Sequence, residues 1–106
     1  MLITYDNNRH LRSFLNQHSQ SEAAIRKDIA ERLPRLITQN SPKIKFANPL
    51  RFNGFRIHEY KIVADKQLTC RVAYIYEDDT VTIIYISETL IKRQFCQLLA
   101  KSGLIS

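Results

Sequence analysis

The sequence predicts an α+β fold in a single domain spanning residues 1–106. In this fold an N-terminal strand and an α-helical hairpin pack on an antiparallel β-sheet, and a C-terminal helix follows. Three observations carry the prediction. Apolar residues recur at helical spacing between Leu11 and Ile37. From Phe55 onward, FRIHEYKI, LTCRVAYIY and TVTIIYIS alternate or run apolar as consecutive strands do. A chain of 106 residues, 44% apolar and 25% charged, suits one modest core rather than a disordered segment.

Leu2-Ile3-Thr4-Tyr5 is a short strand. Asp6 or Asn7 is placed to cap a first helix by accepting from its free N–H groups, with Leu11, Phe14 and Leu15 on one face. Ser19 and Glu22 have the spacing of a capping box for a second helix. Its apolar face is Ile25, Ile29, Leu33, Leu36 and Ile37. Pro34 removes one helical N–H, but the apolar face continues past it, so the spacing predicts a kinked helix rather than an end. Residues 40–53, with Pro42 and Pro49, read as a basic loop holding at most one extended piece.

Gly54 opens the first strand of the meander. Alternation sets Phe55, Ile57, Glu59, Lys61 and Val63 on one face, and Arg56, His58, Tyr60 and Ile62 on the other. After a turn at Asp65-Lys66-Gln67, Thr69, Arg71, Ala73 and Ile75 share one side of the next strand. Glu77–Thr80 is an acidic turn, and Val81–Ile86, apolar on both faces, is a central strand. Ser87 is the expected cap of a last helix burying Ile91, Phe95, Leu98 and Leu99, which Gly103 ends.

Net charge is +6, with +3 of it in residues 21–45. Such a balance favours nucleic acid or an acidic protein as partner and says nothing about fold. No apolar run approaches the roughly 20 residues of a membrane span. The opening MLITYDNN lacks the basic and apolar regions of an export signal, so a cytoplasmic location without membrane contact is expected. Cys70 and Cys96 form no CxxC and have no nearby His at ligand spacing. They read as reduced, buried thiols, and no metal or other cofactor is expected.

Lys61 and Arg71 interrupt strands that must bury at least one face, which is costly unless the charge is solvated or paired. Two uses are open: contact with a phosphate backbone, or a cross-strand ion pair with Glu59. Lys43, Lys45 and Arg51 form a basic stretch suited to steering phosphate. Arg56 and His58 fall by parity on the other face from Lys61. Among the strand tyrosines, Tyr85 is the best placed to stack on a base.

Gly54-Phe55, Glu59-Tyr60-Lys61-Ile62, Cys70-Arg71-Val72-Ala73-Tyr74 and Ile83-Ile84-Tyr85-Ile86-Ser87 with Lys92-Arg93 follow one another in a set order. That order resembles the RelE/ParE superfamily of bacterial toxin–antitoxin systems. The resemblance covers the architecture of nearly the whole chain and the motifs of about residues 50–95. It implies a bacterial cytoplasmic toxin that cuts mRNA on the ribosome without a metal, touches 16S rRNA, and is neutralised by an acidic antitoxin. It places Lys61, Arg71, Lys92 and Arg93 in the catalytic centre, with Glu59 as a further candidate base. Lys43, Lys45, Arg51, Arg56 and Tyr85 are then RNA contacts. No Tyr follows Lys92-Arg93 and no His follows the last strand, where some members supply one, so the general acid and base are unassigned. The family's other branch, which poisons DNA gyrase, and a non-catalytic basic nucleic-acid-binding module remain alternatives.

In metal-free cleavage the 2′-hydroxyl loses its proton and attacks the adjacent phosphate. Fixed cations aimed at the developing charge lower the barrier by a few kcal/mol each. Arginine offers a bidentate fork, which suits Arg71, and a lysine crowded by other cations can take a proton, which suits Lys61.

Overall fold

Residues 1–105 are described in this computed structural model. They form β1 (Leu2–Tyr5), α1 (Arg9–Gln17), α2 (Glu22–Thr38), β2 (Lys45–Phe52), β3 (Phe55–Val63), β4 (Thr69–Glu77), β5 (Thr80–Ser87) and α3 (Lys92–Lys101). The five strands make one sheet in the order β1-β5-β4-β3-β2. Neighbours pair antiparallel except β1, which lies parallel to β5 through Leu2↔Thr80 to Tyr5↔Ile83. The fold is thus a single α+β domain whose sheet is mostly antiparallel.

The first helix is capped one residue later than expected. Asn8 has extended backbone, and its Oδ1 accepts from the Leu11 N–H at 3.0 Å. Its Nδ2 donates to Asp6 at 2.7 Å and to the Ile84 carbonyl at 3.0 Å, pinning the helix start to β5. The Ser19–Glu22 capping box does not form, because Ser21 takes the cap position and its hydroxyl donates to Asp65 at 2.6 Å. A tertiary bond to the β3–β4 turn replaces the local one. The second helix runs on through Pro34 to Thr38, burying Ile25, Ile29, Leu33 and Leu36.

The segment expected to be a loop with at most one extended piece supplies that piece as an edge strand of eight residues. β2 pairs with β3 at Lys45↔Glu59 and Phe46↔His58, then again at Arg51↔Arg56 and Phe52↔Phe55. Between these pairs β2 bulges, and the Asn48–Pro49 peptide is cis. Asn53 (φ 49°) and Gly54 (φ 83°) make the two-residue turn, so Gly54 belongs to the turn and β3 begins at Phe55. Asp78 and Asp79 turn β4 into β5 with the same left-handed backbone.

The alternation read for β3 and β4 holds. Tyr60, Ile62, Cys70, Val72 and Tyr74 pack with α1 and α2 in one core, and Ile57, Ala73, Ile75, Phe95 and Leu99 form a second core under α3. β5 looks apolar on both faces because its register shifts against β4 after Ile83↔Tyr74, to Tyr85↔Ala73. Ile83 and Ile86 face the helical hairpin, whereas Ile84 and Tyr85 both turn to α3.

The last helix starts at Lys92 with Ile91 before it and no side-chain cap. Ser87 closes the preceding turn instead, its Oγ accepting from the Thr89 N–H at 3.1 Å. Phe95 and Leu99 are buried, but Leu98 is 43% and Ile91 61% exposed, contrary to the expected face. Gly103 (φ 85°) follows the Ser102 cap. Cys70 and Cys96 are free thiols, Cys70 in the hairpin core and Cys96 half-buried on α3. Among the described residues no helix is long and apolar enough to cross a membrane.

Candidate functional site

The sheet face under α3 carries a buried ion pair. Strand register places Lys61 opposite Arg71, and Glu59 opposite Ala73, so Glu59 and Arg71 are diagonal neighbours on one face. Arg71 Nη1 donates to Glu59 Oε1 at 2.6 Å, with the Glu59 side chain wholly buried and that of Arg71 15% exposed. Arg71 Nε and Nη2 donate to the Leu90 carbonyl at 3.1 and 2.7 Å, which ties the approach to α3 to the sheet. The other carboxylate oxygen, Oε2, accepts from the Cys96 thiol at 3.6 Å. Burial, and then Glu59, push the Cys96 thiol above its ordinary range.

This arrangement fixes what each group can do. Glu59 meets no solvent and both its oxygens are occupied, so it orients Arg71 and does not reach a substrate proton. A guanidinium has five N–H donors, and three of those on Arg71 are engaged with Glu59 and Leu90. The remaining two have no partner among the described residues. Of the two readings open for Arg71, the cross-strand ion pair with Glu59 forms, and the side chain also lines a groove.

That groove has a volume of about 560 Å³ and lies beyond the start of β2, where β3 continues without an outer neighbour. Arg71, Lys61, Lys43 and Lys45 line it, joined from α2 by Arg32 and Asp28. Lys61, Lys43 and Lys45 are exposed, and among the described residues their ammonium groups have no ion-pair partner. Arg32 is held in place: Nε donates to Asp28 at 3.1 Å, and Nη2 donates to the Lys61 carbonyl at 2.8 Å. Asp28 also accepts from the Tyr60 hydroxyl at 3.1 Å. Burial, reinforced by Asp28, pushes the Tyr60 hydroxyl well above its ordinary range. Five cations against one lining carboxylate give the groove a positive field suited to a polyanion.

Lys92 and Arg93 line a neighbouring cleft between α3 and the β2 bulge, with Asn48, Pro49 and Cys96 among its walls. Lys92 and Arg71 both act electrostatically on Cys96, so the two clefts adjoin through the Glu59–Cys96 contact. Arg51 and Arg56 stand apart. They face each other across β2 and β3 on the side of Phe46 and His58, away from Lys61 and Arg71. His58 stacks on Tyr74 at 5.0 Å. Burial, and then the Arg56 charge, lower its pKa. Tyr85 shares the α3 face but contacts His10 and Phe95 at a different pocket.

Arg32, Asp28, Cys96 and the Leu90 carbonyl are the groups that sequence reasoning missed. For Arg32 and Asp28 a signal existed: each immediately precedes a buried residue, Leu33 or Ile29, at the border of the apolar face. Among the described residues no three His, Cys, Asp or Glu side chains group as metal ligands do. Comparison of the chain with protein families, curated proteins and solved structures returns no match.

Proposed function

We propose that the protein is a toxin-type endoribonuclease that cuts mRNA on the ribosome without a metal and is neutralised by an acidic antitoxin. The observation that carries this reading is the groove of Arg32, Lys43, Lys45, Lys61 and Arg71 around a pre-oriented guanidinium. Arg71 offers its two remaining N–H groups to the phosphate as charge develops on it, already fixed by Glu59 and Leu90. Lys61, directly across the strand pair, adds its ammonium charge beside that phosphate. The 2′-oxygen bonds to phosphorus as the bond to the 5′-oxygen breaks, with water taking the 2′-hydroxyl proton and supplying the one that the 5′-oxygen gains. Lys43 and Lys45 hold the flanking backbone, and Lys92 and Arg93 extend the positive surface past α3. An acidic antitoxin segment would occupy the same groove. The resemblance to the RelE/ParE toxins, carried by residues 50–95, supports the assignment of the reaction.

Translation-coupled cleavage tests it, with wild type beside Lys61→Ala. Lys61 is exposed, so its removal leaves the fold intact. The expected result is cutting in the A site, with 2′,3′-cyclic phosphate and 5′-hydroxyl ends, that Lys61→Ala reduces at least a hundredfold. No cutting by wild type ends the reading, and equal cutting by Lys61→Ala ends the role of Lys61. A second reading, a non-catalytic basic binding module, is favoured by one observation: Asp28, which lines the groove, and Glu59, which holds Arg71, are both ion-paired. It gives salt-dependent RNA binding and no cleavage. Inhibition of gyrase supercoiling without RNA cleavage would mark the family's other branch.

A further inference from the structure

The sheet face away from the groove holds a second, unlike constellation. Arg51 and Arg56 lie directly opposite each other on β2 and β3, and both are exposed. Like charges so placed repel, and among the described residues neither has an acidic partner. Arg56 instead lies over the Phe46 ring at 3.6 Å, Phe46 leans on His58 at 4.8 Å, and His58 stacks on Tyr74 at 5.0 Å and 11°. Phe46 is 37% exposed on a face that is otherwise a core. Beside it a cleft of about 360 Å³ opens under the end of α2, with Asn40 on its rim. The ring nitrogens of His58 make no hydrogen bond among the described residues.

We infer that this face is a second contact for single-stranded RNA, in which a base enters the cleft beside Phe46 and His58 and its phosphate bridges Arg51 and Arg56. The phosphate removes the repulsion that the bare pair carries. An unpaired base supplies the ring face and polar edge that Phe46, the free His58 nitrogens and Asn40 can meet. A duplex keeps its bases stacked and offers only phosphate. The site lies on the opposite sheet face from Lys61 and Arg71, so it does not depend on cleavage there.

The test uses the full chain and 2′-O-methyl hexauridine, which no 2′-hydroxyl chemistry can cut. The expected result is a shift of the His58 ring resonances on titration, the resonances being assigned with His58→Gln. Anisotropy should show about tenfold weaker binding for Arg51→Ala/Arg56→Ala, with a salt slope lower by about 0.7, one single-strand phosphate contact. Phe46→Leu should weaken binding about fivefold with an unchanged slope. Unmoved His58 resonances, or loss confined to Lys43→Ala/Lys45→Ala, would overturn the inference. So would an equal His58 shift with hexaglutamate, which would show an acidic-peptide site instead.

Discussion

The Glu59 carboxylate and the Arg71 guanidinium meet at 2.6 Å with Glu59 wholly out of water. Neither group stands alone well: a buried carboxylate without its cation carries a large desolvation penalty. Arg71→Ala should therefore lower stability by about 3–5 kcal/mol. Glu59→Leu/Arg71→Met, which removes both charges, should lose less than Arg71→Ala alone. Urea unfolding of the single and double variants measures this coupling, and strict additivity would show the pair to be energetically idle.

Lys43 and Lys45 should act on affinity and not on fold. Replacing both with Ala should weaken binding of single-stranded RNA and reduce the salt slope by about 1.4, two phosphate contacts. The thermal midpoint should stay within the scatter of wild type. A loss of binding with the salt slope unchanged would place these lysines outside the phosphate path.

Arg93 sits at the first turn of α3, where the helix dipole disfavours a cation. Arg93→Glu should stabilise the domain by about 0.3–1 kcal/mol while weakening RNA binding. Opposite signs in a melting curve and a binding isotherm are the expected signature. If both measurements fall, the side chain has a structural role instead.

His58 links stability to pH. Its pKa in the fold is lowered by burial and by Arg56, so the unfolded chain binds the proton more readily. The stability due to neutral His58 is present above its ordinary value near 6.5 and is lost as pH falls through the lower folded value. Urea midpoints should decline on acidification from pH 7, and His58→Gln should decline less over the same range. Parallel curves for the two proteins would remove His58 as the source.

Gly54 takes φ 83° in the β2–β3 turn with open space around its α-carbon. Gly54→Ala should cost about 1–2 kcal/mol through backbone strain alone. Chemical denaturation reads the loss directly, and an unchanged midpoint would mean that the turn relaxes.

Strict alternation made β3 and β4 legible, and with them the shared face of Glu59, Lys61 and Arg71. The bounds of β2 were hidden because four residues, Ala47 to Leu50, lie between its two paired stretches where β3 has only Ile57, which breaks the period. Asn53-Gly54, a hairpin signal in plain view, marked its end. The turn of Tyr85 toward α3 depends on a register shift that no local pattern announces. Ser19 and Ser87 both had capping chemistry, but Ser21 found Asp65 and Ser87 closed its own turn. The burial of Glu59 was illegible because it depends on α3, whose docking comes from Phe95 and Leu99 far along the chain.

β2 is also one of the two edge strands of the sheet, paired on one side only, with β3. Such an edge invites a second copy to add its own strand and begin aggregation. Here Lys45, Arg51, Pro49 and the bulge all sit on that strand, and each is a feature that blocks strand addition. The cations proposed to meet RNA thus also disfavour strand addition, so neutralising them should raise light scattering at high concentration.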